Sequence, residues 1–284
     1  MDVSANGPEW MEGPDGPEVL ALSRQGVPIR AAQARAGWVP QAFAQTGVAQ
    51  PFGSLVPGDP LPWVRSLQGV PRGQMWLQRA DGVDAVLPFP TIQGRWTPGQ
   101  HELVFVSKFD ARHHRVGRWT PAEGFEVLDV GTGTTSHRHP MRVDVGGREL
   151  LVVGEGMELG NGETAANRIA VYEHVGDSWE RTETLWPPPG LRWLEAPVPF
   201  VWNDRAYVAF AASSAPWGER DDYVMLPWVM SVDGQQPPVH QPACGLQPQV
   251  ARDTEVFTGG VEPWLYYTLN RRRRTLRRCT LALP

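Results

Sequence analysis

Residues 194–212 read LEAPVPFVWNDRAYVAFAA. Two apolar runs, Val198 to Trp202 and Ala206 to Ala212, flank Asn203-Asp204. Asn and Asp both accept turn geometry, so the pair between β-favouring runs predicts a hairpin. Glu195, with Ala196 and Pro197 behind it, then stands at the head of a buried strand pair. A carboxylate fixed there is either a solvated strand end or a group placed for proton transfer.

Outward from this hairpin the same pattern returns. ELVFVS, ELLVVG, AYVAFA and PWLYYT begin at positions 102, 149, 206 and 263, at spacings of 47, 57 and 57. Each run is the second strand of a set of short strands. Around them the sequence predicts strands at 18–23, 61–67, 74–78, 83–89, 115–119, 125–130, 141–145, 168–174, 179–184, 223–231, 255–258 and 276–283. Residues 28–36 read as a strand or a short helix, and 37–60 mostly as loop. A period near 50 with about four strands per set is the signature of a β-propeller. The 284 residues then give an all-β propeller of five four-stranded antiparallel blades, with six as the alternative. The domain occupies 17–284, behind a loosely held segment 1–16. A strand near Glu18 is expected to close the ring on the last blade.

Composition agrees. Thirty glycines and 28 prolines, evenly spread, disfavour long helices and favour frequent turns. Thirteen tryptophans suit one per blade, or stacking platforms for a sugar ring. Trp193, Trp217 and Trp264 are candidates for such platforms. A net charge of -5 gives no electrostatic case for nucleic acid. No run approaches the roughly 18 apolar residues of a membrane helix. The N-terminal residues lack the pattern of a secretory signal, so a cytoplasmic location is expected. Cys244 and Cys279 are too few for a disulfide framework, and their pairing is left open.

Histidine forms a second constellation. His113, His114, His137 and His139 fall within 27 residues. His137 and His139, two apart on a strand, would share a face and suit a metal or a paired acid/base role. The turn holding His113 and His114 could meet them at one end of the funnel. The alternative is a basic turn with one packed histidine. No cofactor is required, and a metal at His137 and His139 is the one option. Glu155 and Asp110 read as solvated. MELGNGETAAN (157–167) reads as a long loop without the aspartates of a calcium site, and the Arg271 to Arg274 run as a solvated turn.

The layout from about residue 55 onward resembles the five-bladed glycosidases of the family 43/62 type. Asp59-Pro60 sits where that family's general base stands. Glu195-Ala196-Pro197 resembles the motif that carries its general acid. FTGGVEPWLYYT (257–268) is similar to its last blade. In the middle, His139-Pro140 replaces the Asp-Pro that tunes the acid. The resemblance implies a carbohydrate or similar small polar ligand in an axial pocket, with Glu195 as acid, Asp59 as base, and His139 in place of the tuning aspartate. Inverting hydrolysis needs its two carboxyls about 6.5–9.5 Å apart. The substitution points to altered chemistry, or to binding without hydrolysis. Two other readings remain: a lyase, isomerase or cyclase using His137 and His139, and a purely binding propeller.

Overall fold

The computed structural model is all-β, with no helix among the described residues. Backbone is described for the strands named below and for parts of their connections. Side chains are described for residues 94–95, 97, 102–107, 114–120, 122–130, 136–156, 166–215, 224–241, 254–267 and 277–284.

Hydrogen bonding joins the described strands into four antiparallel sheets, of four, seven, eight and three strands, and in chain order they form successive groups, numbered here as units. Unit one is β1 (Glu9–Gly13), β2 (Gly16–Leu22), β3 (Pro28–Ala34) and β4 (Gly37–Ala42). Unit two is β5 (Val48–Pro51), β6 (Leu61–Arg65), β7 (Gln74–Gln78) and the first half of β8 (Asp84–Thr97). The second half of β8 opens unit three, followed by β9 (Glu102–Ser107), β10 (Arg115–Thr120) and β11 (Gly124–Val127). Unit four is β12 (Ser136–Val145), β13 (Arg148–Glu158), β14 (Thr164–Val175) and β15 (Ser178–Leu185). Unit five is β16 (Trp193–Trp202), β17 (Arg205–Ser213), β18 (Met225–Ser231) and β19 (Val239–His240). Unit six has three strands, β20 (Ala251–Phe257), β21 (Trp264–Leu269) and β22 (Thr275–Thr280). The first strands of successive units lie side by side, β8 on β12, β12 on β16 and β16 on β20, and β20 meets β1. The first and last units are therefore neighbours, as in a propeller.

Several expectations change here. Glu18 pairs with Ala32 inside unit one, so its strand does not close the ring by joining the last blade. Residues 28–34 are strand, and the stretch expected to be loop contains β4 and β5. The MELGNGETAAN stretch is largely a hairpin extension, with Glu158 paired to Thr164. The Asn203-Asp204 turn is as expected: both residues have positive φ, 50° and 58°, and Trp202 pairs with Arg205. That left-handed pair matches the twist of the two strands it joins.

The recurring apolar runs are the second strands β9, β13, β17 and β21. Every residue of β9 is buried, as are Tyr207 to Ser213 of β17. A strand covered on both faces by neighbouring units has no polar side, so the usual alternation disappears. Outer strands show the reverse. β15, SWERTETL, is half exposed and carries three charges, which discourages pairing at the rim.

The core lies between units. Val104, Val116 and Leu128 of unit three pack on Leu151, Val153 and Tyr172 of unit four. Val143, Leu150, Val152 and Val171 of unit four meet Val208, Phe210 and Met230 of unit five. Val198, Phe200 and Tyr207 of unit five meet Val256, Leu265 and Tyr267 of unit six. Each such side chain contributes on the order of 1.5–3 kcal/mol by leaving water.

The C-terminal residues are tied down by a side chain. The fully buried Gln241 donates from Nε2 to the Ala282 carbonyl at 2.9 Å and accepts the Ala282 N–H on Oε1 at 2.8 Å. Its carboxamide pairs with the chain as another strand's peptide group would. Cys279, also buried, is disulfide-bonded, and Cys244 is the sequence's other cysteine.

Candidate functional site

Three first strands share one irregularity near their heads. On β12, Arg138 pairs with Gly154 and Met141 with Val152, so His139 and Pro140 face Val153 alone. On β16, Ala196 and Pro197 face Phe210 alone, between the pairs Glu195–Ala211 and Val198–Ala209. On β20, Asp253 and Thr254 face Tyr267 alone, between Arg252–Thr268 and Glu255–Tyr266. Two residues opposite one is a β-bulge, which bends the strand and re-aims the neighbouring side chains. His139 and Ala196 both have left-handed φ, 46° and 49°.

This register fixes equivalences that sequence spacing left undefined. His139-Pro140 corresponds to Ala196-Pro197, and Arg138 corresponds to Glu195. The place that holds a carboxylate in unit five therefore holds a guanidinium in unit four. His139 lies on the bulge, one residue beyond that place. Arg138, His139 and Glu195 are all partly exposed. The heads of β16 and β20 are joined directly: the fully buried Thr254 donates its hydroxyl to the Ala196 carbonyl at 2.9 Å.

Gly154 makes room for this arrangement. A Cβ there would lie 3.2 Å from the Arg138 carbonyl oxygen, 3.3 Å from Ala166 Cβ and 3.6 Å from Pro197 Cγ. Valine at 154 must push the β12 bulge or the Pro197 ring aside. We expect Gly154→Val to lower stability by about 1–3 kcal/mol, read as a fall in the thermal midpoint.

Of the four clustered histidines, His114, His137 and His139 are among the described side chains. The bulge interrupts strand alternation at His139, so spacing no longer puts His137 and His139 on one face. His137 is fully buried, its N–H donates to the His114 carbonyl at 3.1 Å, and Nε2 lies 3.5 Å from Glu155 Oε1. His114 is itself buried at the junction of units three and four. Among the described residues, no group of three or more His, Cys, Asp or Glu side chains is placed to hold a metal. His113, Asp59, Asp110, Trp217 and the Arg271 to Arg274 run lie outside the described side chains. Trp193 is partly buried at the start of β16, and Trp264 carries the Arg278 guanidinium over its ring at 4.7 Å.

Glu155, expected in solvent, is completely buried. Its Oε1 accepts from Tyr172 Oη at 2.6 Å and from Arg181 Nη2, and its Oε2 accepts from Arg168 Nε at 3.0 Å. Burial alone would push this carboxyl up. The neighbouring His137, Tyr172 and Arg181 outweigh burial and bring it down to about 2. Burial, reinforced by Glu155, pushes the Tyr172 phenol well above its ordinary value. The register explains why this was missed. The equivalent places in unit five hold Leu194, Ala212, Leu226 and Met230, an apolar set. Unit four places an ionic cluster where unit five packs hydrocarbon, and ELLVVGE alone does not show where Glu155 points.

Neither of the two cavities described next is lined by Glu195. One, of 240 Å³, sits where the ends of β8, β12, β16 and β20 converge, with Thr97, Met141, Val143, Phe200, Glu255 and Thr258 among its walls. Its buried carboxylate, Glu255, is paired with Arg95. Sequence reading listed Glu255 only as the start of a strand. The other cavity opens between units four and five.

No protein-family model matches this chain, and no curated protein matches it by sequence. Solved structures match its fold. An α-L-arabinanase from Penicillium chrysogenum, complexed with arabinobiose, superposes with a TM-score of 0.61 at 11% identity, over 97% of this chain and 92% of that one. The SapL1 lectin, complexed with α-methyl fucoside, gives 0.59 at 8% identity over 99% and 98%. A sialidase from Trypanosoma rangeli, complexed with sialic acid, gives 0.58 at 10% identity, over 98% of this chain and 55% of the sialidase. At such identities the likeness establishes a β-propeller fold and nothing finer.

Proposed function

We propose that this chain is a carbohydrate-binding propeller, a ring of six units, with its ligand seated at the heads of β12 and β16 around Arg138, His139 and Glu195. The observation that carries this is the repeated bulge, which sets partly exposed polar side chains at equivalent places on strands that are otherwise apolar. A guanidinium and a carboxylate there supply donors and acceptors for hydroxyl groups. Structures of the same fold hold arabinobiose, a fucoside and sialic acid, which supports a sugar as the ligand.

Hydrolysis is the second reading, favoured by Glu195 standing before Ala196-Pro197 at the head of β16. It requires a second carboxylate, for which Asp59 is the candidate. At the place that Arg138 and Glu195 share by register, Glu195 is the one acid among the described side chains, and binding asks for no more. The disulfide at Cys279 supports an oxidising compartment in place of the cytoplasmic location expected from the N-terminal sequence. No helix among the described residues is long and apolar enough to cross a membrane.

The test pairs calorimetric titration of arabino-, xylo- and fuco-oligosaccharides with a panel of aryl glycosides. We expect saturable binding that weakens at least tenfold in Glu195→Gln and in Arg138→Ala, without turnover. Turnover that falls about 10²–10⁴-fold in Glu195→Gln would establish the hydrolytic reading instead. Absence of both binding and turnover across the panel would overturn both readings.

A further inference from the structure

The 370 Å³ cavity between units four and five is built from five segments. Val145, Gly146, Arg148 and Leu150 come from the β12–β13 hairpin, Val171 from β14, and Thr182 and Glu183 from β15. Unit five supplies Asp204, Arg205 and Ala206 beside the β16–β17 turn, and Val232 and Asp233 after β18. It lies at the hairpin end of the units, away from the strand heads.

Its chemistry is divided. Val145, Leu150, Val171, Ala206 and Val232 form an apolar side. Around it stand two guanidiniums, a hydroxyl and three carboxylates. These groups are held in place: Arg148 is bidentate to Glu173 at 2.7 and 3.0 Å, and Arg205 lies 5.7 Å from the centre of the Tyr207 ring. Glu183 accepts from the Thr184 N–H at 2.8 Å, and Asp233 from the Gln235 N–H at 3.0 Å. The two units approach each other at the rim, where a Cβ added at Gly234 would lie 3.3 Å from the Glu183 carboxyl carbon. Gly146 has no neighbour within 4 Å of where a Cβ would stand, so the wall is open at the turn.

From this division we infer that the cleft is a second binding site, for a neutral polyhydroxylated ring such as a monosaccharide unit. The C–H face of such a ring packs on the apolar side, and its hydroxyls meet Arg148, Arg205, Thr182 and the three carboxylates. Alternating donors and acceptors are what hydroxyls require, since each both gives and takes a hydrogen bond. With Glu183, Asp204 and Asp233 against two arginines, the formal balance of the lining is -1, which disfavours anionic sugars. The volume falls within the range of small-molecule pockets, about 300–1,000 Å³. The inference shares a ligand class with the head-end reading but stands on different residues.

The test is calorimetric titration of the whole protein with the methyl α-glycosides of glucose, galactose, mannose and fucose, and with glucose 1-phosphate and N-acetylneuraminic acid as charged probes. At least one neutral glycoside is expected to bind. Its affinity should fall tenfold or more in Asp233→Ala, and also in Gly146→Asn, which adds bulk where asparagine tolerates the left-handed backbone. Cooperative melting of both variants shows that folding is retained, and Arg205→Gln replaces whichever fails to melt cooperatively. Loss of binding in Glu195→Gln with the cleft variants unaffected would put the ligand at the strand heads. That result overturns the cleft and leaves the head-end reading standing. Tighter binding of either charged probe, or no binding of any neutral glycoside, also overturns it.

Discussion

Glu155→Leu is expected to destabilise the protein by about 3–5 kcal/mol, the range for breaking a buried ion pair by removing one partner. The substitution leaves Arg168, Arg181 and His137 around a position with no anion, and Tyr172 without its acceptor. Tyr172 also packs with Val104, Val116 and Leu151 across the seam of units three and four, so the damage reaches that core. Urea titration followed by tryptophan fluorescence would show a large drop in midpoint. A loss under 1 kcal/mol would mean that the cluster is solvated and contributes little.

The same carboxylate sets a pH dependence. Its folded pKa of about 2 lies below its ordinary 4.5. The stability it contributes is complete above about pH 4.5 and is lost as pH falls towards 2. Between those values the wild type should lose stability more steeply than Glu155→Leu, and the two curves should converge. Tyr172, raised in the folded state, has the opposite window: its contribution is whole below pH 10 and declines as pH rises beyond it.

Arg142→Met should cost about 3 kcal/mol, at the low end of the same range. Arg142 reaches from β12 to both oxygens of the buried Glu102 on β9, each at 3.1 Å, and to Glu149 at 2.9 Å. Removing it strands Glu102 in the seam, eased by the Thr97 hydroxyl at 3.2 Å and by Arg118 at 3.6 Å. Replacing Glu102 and Arg142 together by leucine and methionine should recover most of the loss, since a buried pair can be exchanged for hydrocarbon with little change. Equal losses in the single and double variants would show that packing of the Arg142 stem matters, not its charge.

The second strands of units three to six were legible because strands buried on both faces must be continuously apolar, and ELVFVS, ELLVVG, AYVAFA and PWLYYT all are. The Asn203-Asp204 hairpin was legible because its turn chemistry is local. The second strands of units one and two, GPEVLAL and LPWVR, stand outside the repeat because they carry prolines and too short an apolar run. The site was less readable still. Glu195 and His139 were found as residues, but a bulge shifts facing by one position and leaves no mark that counting detects. By register it is Arg138, not His139, that matches the place of Glu195. Glu155 and Glu255 were passed over because a buried carboxylate is defined by partners distant in sequence, Arg181 and Arg95.

The Gln241 carboxamide has a mechanical consequence. Leu281 bonds the Pro263 carbonyl, and the next residue, Ala282, is gripped by two antiparallel hydrogen bonds from that one side chain. A pull on Pro284 therefore reaches the Gln241 clamp before it loads any strand of unit six. The clamp spreads the load to the end of unit five, so the tail resists peeling as part of two units rather than one.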